Sequence, residues 1–402
     1  MSEQFQPAEV NFTKGSFIIL EGKPNNGKFY IIKSGNIQVT RETDVLITEP
    51  NVAGPGEMFG VISVMASRSY IETVEALTDV KALAVERAQI VKNPSIAINI
   101  IKQFSQRLRK LNDTYSQRVM KSAASEDPSH ILQIAVFYEK EGESAQALYA
   151  YQQYLAYYPN TVNTEKVNVK IEKLKTRVTS ARPVYSPDTM IQKWPNNHLL
   201  FAEGETGQNL YIIQEGAIKI SKIINNQEAV LEVLKKGDVL GEMAMLENKP
   251  RGATAEIYEN STLLSVNQAN FKNLISEQPD MVIRLVTTMA ERIWLRYRQI
   301  TNTLIENSLG RIYDALLIQL EKARIDLNSV NPYLCNFSFK DLVGMAGVSD
   351  EKTKELFNKL SSARRIAEKD NRLYVLNVAS ILKEADYYRR ARQLGKDFKD
   401  QS

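Results

Sequence analysis

A chain of 402 residues, 43% hydrophobic and 24% charged, has room for two to four globular domains, each with its own core. No basic start followed by an apolar run opens it and no stretch of about eighteen apolar residues occurs, so secretion and membrane spanning are not expected. With Cys335 as the single cysteine and His130 and His198 as the only histidines, an intrachain disulfide is excluded, a zinc site has almost no ligands, and the cytoplasm fits best; a net charge of +4 spread over this length is weak evidence for nucleic acid.

Alternating runs rich in Ile, Val, Tyr and Phe at 16–20, 29–33 and 36–40, punctuated by Gly, Asn and Asp, predict strands of a small antiparallel barrel or jelly roll. Between the first two, Gly22 to Lys28 has the spacing of a triphosphate P-loop. Phe29 stands where a P-loop needs Ser or Thr for magnesium, and 29–32 continue as a strand rather than a helix, so the motif is rejected. A long amphipathic helix follows, with Ile101, Phe104, Leu108, Leu111, Tyr115 and Val119 at steps of three or four. Then Gly142, Ala147, Tyr151, Tyr154 and Pro159 fall at the marker positions of one tetratricopeptide-like hairpin. A lone repeat cannot bury both faces and must lean on a neighbour. Residues 179–188, with Pro183 and Pro187, read as a linker. Strand-like runs return at 199–201, 210–214 and 217–223, and a second amphipathic stripe runs through Leu285, Met289, Ile293, Leu295, Ile300 and Leu304.

The two barrels are copies. Tyr30, Gly35, Gly56, Gly60 and Thr73 match Tyr211, Gly216, Gly237, Gly241 and Thr254 at one offset of 181 residues, and Glu21-Gly22 matches Glu203-Gly204 after one inserted residue. In the second copy, residues 237–255 include Gly241-Glu242-Met243-Ala244 and Arg251-Gly252-Ala253-Thr254. A short helix start offers unpaired N–H groups to an anion, Arg251 can bind two phosphate oxygens through its planar fork, and Glu242 can accept from a hydroxyl. This segment resembles the phosphate-binding cassette of cyclic nucleotide-binding domains. The resemblance implies that Gly241, Glu242, Met243, Ala244, Arg251, Ala253 and Thr254 contact a cyclic nucleotide, cyclic AMP or cyclic GMP. It also implies that the following helix forms a dimer seam and places Arg296 and Tyr297 near the purine, either in a homodimer or in an intrachain pseudo-dimer. In the first copy Val61 stands in place of Glu242 and Tyr70 in place of Arg251, while Arg68 comes two residues early. That copy is expected to bind no ordinary cyclic nucleotide, and the sequence names no other ligand for it.

From Gly310 the chain resembles the winged helix-turn-helix of CRP/FNR regulators, with 337–349 as supporting helix and turn, Ser349 capping a second helix through Leu360, and a wing around 369–372. Ser349, Glu351, Lys352, Lys354, Arg364, Arg365, Lys369 and Arg372 are the candidate contacts to double-stranded DNA. Asp350 and Glu355 depart from the arginines the family places there for guanine edges, and over 349–360 three acids balance three lysines. Arg389, Arg390, Arg392, Lys396 and Lys399 add a basic tail or a solvated helix face.

The resulting expectation is an α+β multidomain protein. Residues 1–121 form a degenerate cyclic nucleotide-binding-like domain with its helix, 122–180 a helical tetratricopeptide-like connector, 181–306 a cyclic nucleotide-binding domain with its helix, and 307–402 a winged helix-turn-helix. No catalytic, metal or cofactor motif stands out, so a regulator is favoured over an enzyme. The alternative is a cyclic nucleotide-binding adaptor whose winged helix and connector bind protein.

Overall fold

The structure, a computed structural model, describes residues 7–45, 51–92, 94–120, 129–186, 189–224, 226–271 and 279–394. Pro187, Asp188, Lys396 and Lys399 lie outside them. The first barrel comprises β1 (Ala8–Phe12), β2 (Phe17–Ile19), β3 (Lys28–Ser34), β4 (Ile37–Thr40), β5 (Val52–Ala53), β6 (Met58–Phe59), helix α1 (Val61–Ala66), β7 (Thr73–Ala76) and β8 (Val80–Glu86). Two antiparallel sheets, β1-β8-β3-β6 and β2-β7-β4-β5, enclose Ile32, Ile37, Phe59, Val74 and Ala82. The segment with P-loop spacing ends in β3, a strand, as its apolar alternation requires. Helix α2 (Pro94–Met120) follows and buries Ile101, Phe104, Leu108, Leu111 and Tyr115.

Three helices come next, α3 (Ser129–Lys140), α4 (Ser144–Tyr157) and α5 (Thr164–Lys175). The second barrel comprises β9 (Ile191–Trp194), β10 (Leu199–Phe201), β11 (Asn209–Ile224), β12 (Gln227–Lys235), β13 (Val239–Leu240), α6 (Glu242–Glu247) and β14 (Thr254–Asn267). Its register repeats the first. Tyr30 opposes Phe59 and Ala84, while Tyr211 opposes Leu240 and Ser265; Val39 opposes Val74, while Ile220 opposes Ala255. Two strands expected at 210–214 and 217–223 are one, β11, because irregularities on either side of Glu215 let the chain bend at Gly216 without losing its ladder with β14. A side chain at Gly216 would bring Cβ to 2.3 Å from the Asn260 carbonyl, and the matching Gly35 would meet Asp79 at 2.2 Å. Both glycines are therefore needed where the backbone turns between sheet faces.

Helix α7 (Pro279–Asn302) precedes α8 (Ser308–Lys322), β15 (Tyr333–Leu334), α9 (Phe339–Met345), α10 (Thr353–Ser362), β16 (Ile366–Lys369), β17 (Arg372–Val375) and α11 (Val378–Gln393). The side chains of Ser338 and Asp341 form a reciprocal capping box at the start of α9. Ser349 does not cap α10. Residues Asp350–Lys352 make a 3₁₀ turn in which the Ser349 carbonyl, not its hydroxyl, accepts from the Lys352 amide, so the helix starts only at Thr353.

The compact units cut across the expected domain boundaries. One contains residues 1–114 and 268–301, the other 115–267 and 302–402. Helix α7 thus falls, apart from its last residue, in the compact unit that holds the first barrel. Arg107 Nε donates to the Tyr297 hydroxyl at 2.8 Å, Arg87 Nη2 donates to Thr287 Oγ1 at 2.8 Å, and Trp294 Nε1 donates to the Ser69 carbonyl at 3.3 Å. In the other unit α3 and α4 bury Ile134, Ala135, Tyr151 and Tyr154 and pack on Leu199, Ala202 and Ile223 of the second barrel. Its C-terminal segment shares a core with Ala217, Val230 and Val233.

Candidate functional site

Both copies build the same cassette backbone. Gly60 and Gly241, at φ 74° and 79°, open α1 and α6 in a left-handed conformation that glycine adopts without strain. Ser67 and Asn248 close them at φ 53° and 51°. The amides of Glu21 and Glu203 donate to Thr73 Oγ1 and Thr254 Oγ1, at 3.0 and 3.1 Å. The side chains set into that frame are different.

In the second copy Arg251 is 5% exposed. Its Nη1 donates to the Gly241 carbonyl at 2.8 Å and its Nη2 to the Asn209 carbonyl at 2.9 Å, with the guanidinium 4.2 Å from the Phe201 ring centroid. Nε–H is buried with no hydrogen-bond partner, and among the described residues no carboxylate forms an ion pair with this group. Burial holds its pKa below the usual arginine range. A cation withdrawn from water without a counter-charge costs on the order of several kcal/mol, which an anionic ligand would offset. Glu242, Met243 and Ala244 are buried beside it, Ala253 is half-buried, and Thr254 is fully enclosed. Ser221, opposite Thr254 in the ladder, has a buried hydroxyl without a partner.

Three contributors escaped the sequence reading. A Cβ at Gly207 would lie 2.3 Å from Arg251 Nε and Nη2, so this glycine makes the room the guanidinium occupies. The matching residue of the first copy is Asn26, whose Oδ1 accepts from the hydroxyl of Tyr70, the residue matching Arg251. Glu205 lies behind Arg251: its carbonyl accepts the Arg251 amide at 2.7 Å, and its carboxylate accepts from the Ala202 amide at 2.9 Å and from the Tyr149 hydroxyl of α4 at 2.8 Å. Burial raises the Glu205 carboxyl to about 7. Further polar contacts join the same helices to the barrel. His130 Nε2 and Lys222 Nζ lie 3.0 and 2.9 Å from the two oxygens of Glu203, whose pKa is lowered because Lys222 and His130 outweigh the opposing effect of burial.

Tyr297 lies with the first copy by its contacts, 6.0 Å from Arg41 and 5.3 Å from Arg107 measured to the ring centroid. Arg296 is buried and donates to Gln299 Oε1 at 2.6 Å. Both residues lie in the compact unit that holds the first barrel.

On the C-terminal segment Ser349, Glu351, Lys352, Lys354, Arg364, Lys369 and Arg372 are exposed and Arg365 is half-buried. Arg365 pairs with Glu384 at 3.0 Å, Arg372 with Glu259 of the second barrel, and Lys352 donates to Ser308 at 3.3 Å. The hairpin between β16 and β17 turns through Asp370 and Asn371 at φ 53° and 58°, a geometry these residues tolerate well.

Residues 9–92 and 191–278 match the family model described as Cyclic nucleotide-binding domain. Over 129 residues the chain is 29% identical to the cAMP-activated global transcriptional regulator CRP of Salmonella typhimurium, covering 32% of this chain and 61% of that protein. Over 169 residues it is 25% identical to the Cyclic AMP receptor protein of Thermus thermophilus, covering 42% and 75%. The chain therefore spans about three-fifths of the first of these relatives. Among solved structures, a CRP/FNR-family transcriptional regulator from Thermus thermophilus matches at TM-score 0.40 and 16% identity, over 49% of this chain and 98% of that one. No helix among the described residues is long and apolar enough to cross a membrane. The chain carries two copies of the cyclic nucleotide-binding domain, and the curated proteins it is similar to include cAMP-activated global transcriptional regulators.

Proposed function

We propose that this protein is a cytoplasmic, non-enzymatic transcription regulator that binds cyclic AMP or cyclic GMP in its second barrel and transmits occupancy to a C-terminal winged helix that contacts DNA. The observation that carries the reading is Arg251, a buried guanidinium with an unpartnered Nε–H and no carboxylate counter-ion among the described residues. A cyclic phosphate supplies the missing charge and the acceptor. Helices α3 and α4 read as one tetratricopeptide-like hairpin serving as a brace, and the Arg107–Tyr297 contact supports an intrachain pairing of α2 with α7. Any shift of the winged helix is bounded by the ligand's differential affinity for the two arrangements.

Calorimetry of the full chain with each nucleotide tests the reading. One site per chain is expected, weakened by about tenfold to a hundredfold or more in Arg251→Ala, since a charge-assisted pair contributes about 1.5–3 kcal/mol. Unchanged affinity in that variant would refute it. The output is tested by binding to a random duplex library across a salt series, with and without nucleotide, where enrichment and a steep salt slope are expected. A protein-binding adaptor is the second reading. It is favoured by the cations tied up near the DNA face, namely Arg365 with Glu384, Arg372 with Glu259 and Lys359 with Glu355, and predicts no enriched sequence and no salt-dependent binding.

A further inference from the structure

The first barrel repeats the cassette frame but reverses its charge. Glu72, which matches Ala253, is 5% exposed. One of its oxygens accepts the Gly60 amide at 2.9 Å, and the other lies 3.0 Å from Arg41 Nη2, each side chain of that pair being 6% exposed. Gly60 matches Gly241 in sequence and in backbone angle. Arg41 matches Lys222, which in the second copy is turned to Glu203. Tyr70 has replaced the phosphate-reading arginine, and its hydroxyl is satisfied by Asn26. Among the described residues, Arg251 of the second copy thus forms no ion pair with a carboxylate, whereas Glu72 of the first is paired with Arg41, which also has Asp44 at 3.8 Å.

We propose that the first barrel is self-liganded: the Glu72 carboxylate occupies the anion position of its cassette, and Arg41 neutralises it. A carboxylate and a cyclic phosphodiester each bring one negative charge and two acceptor oxygens, so Glu72 can take the place of an anion beside the Gly60 amide, with Arg41 rather than an Arg251 counterpart as its cation. The adjoining edge is covered within the same unit. Arg68 lies 5.1 Å from the Trp294 ring centroid, Trp294 holds the Ser69 carbonyl, and Arg41 faces the Tyr297 ring. An external phosphate would have to displace a charge already paired and enclosed, so this barrel holds its cassette and α7 in one arrangement whatever the nucleotide concentration.

The test uses the full chain carrying Arg251→Ala, which silences the second cassette, with inorganic phosphate and acetate as probes and thermal unfolding and calorimetry as readouts. The parent should show no saturable response. Adding Glu72→Ala should create one, with phosphate affinity at least about tenfold tighter than in the parent, because a charge-assisted site is vacated. A folded Glu72→Ala protein with the parent's response overturns the proposal. Should that variant fold only in phosphate, the dependence itself supports it. Should it fold in neither buffer, Glu72→Gln, Arg41→Gln and their combination decide. A double variant less destabilised than the two single losses combined supports the buried pair, and simple additivity overturns it. Because the second cassette is already silenced, the outcome does not depend on whether that barrel binds cyclic nucleotide.

Discussion

Gly207 illustrates how one missing side chain can define a charge site. Arg251 is pinned by two main-chain carbonyls, so it cannot retreat from a methyl group placed 2.3 Å away. Gly207→Ala is expected to cost about 1–3 kcal/mol of stability and to weaken nucleotide binding together with it. Retained affinity with retained stability, read by calorimetry and urea unfolding, would show that the guanidinium sits elsewhere. Glu205 predicts a pH effect. Its pKa rises from an ordinary 4.5 to about 7 because burial disfavours the carboxylate. The folded state therefore holds a proton that the unfolded state has lost between those values, and its contribution to stability declines as pH rises from about 4.5 to 7, by on the order of 3 kcal/mol at most. Glu205→Gln removes the titration, so the difference between wild type and variant should change across that window and be flat above it. Much at this scale was legible. The glycines, Thr254 and Arg251 stand in a recognisable spacing, and the losses at Val61 and Tyr70 follow from the constant offset. Glu72, Asn26 and the Tyr149–Glu205 hydrogen bond were not, because each draws its meaning from a partner that only the fold brings near.

Among the elements, the strands and amphipathic helices fall close to where apolar period and turn residues put them, and the departures have local causes. Irregular pairing beside Gly216 fuses two expected strands into β11, and the turn through Asp350–Lys352 delays α10. Element docking is less visible in sequence because it depends on which faces meet. Helix α9 packs on β12, where a Cβ added to Gly344 would come within 3.1 Å of Val230, and Tyr258 Oη donates to Asp341 Oδ2 at 2.7 Å. Glu259 meanwhile holds Arg372 of the hairpin. Under the DNA-binding reading, this ion pair withholds one phosphate contact. Glu259→Gln should then raise affinity for nonspecific duplex at low salt, by a few-fold, and steepen the salt slope by roughly one counter-ion. Since exposed pairs contribute only about 0–1 kcal/mol to stability, the melting temperature should hardly move. An unchanged salt slope would place Arg372 away from the phosphate backbone.

Across the whole molecule, duplication explains both what the sequence reveals and what it conceals. Repetition with one register makes two barrels legible from sequence alone, yet linear order assigns α7 to the second barrel while its contacts lie with the first. A periodic stripe says that a helix is buried, not against which copy. This separation yields a prediction about where ligand binding is felt. Cyclic nucleotide should slow amide exchange at 199–211 and 241–254, and at the start of α4 through Tyr149 and Glu205, because local opening there must break the contacts the ligand completes. Residues 56–73 should exchange at the same rate with and without nucleotide, since their anion position already carries Glu72. Hydrogen exchange read by mass spectrometry on the full chain, with Arg251→Ala as the unliganded control, distinguishes the cases peptide by peptide. Ligand-dependent protection at 56–73 that persists in Arg251→Ala would mean that the first barrel also takes nucleotide. Protection lost throughout in that variant would trace the whole response to Arg251.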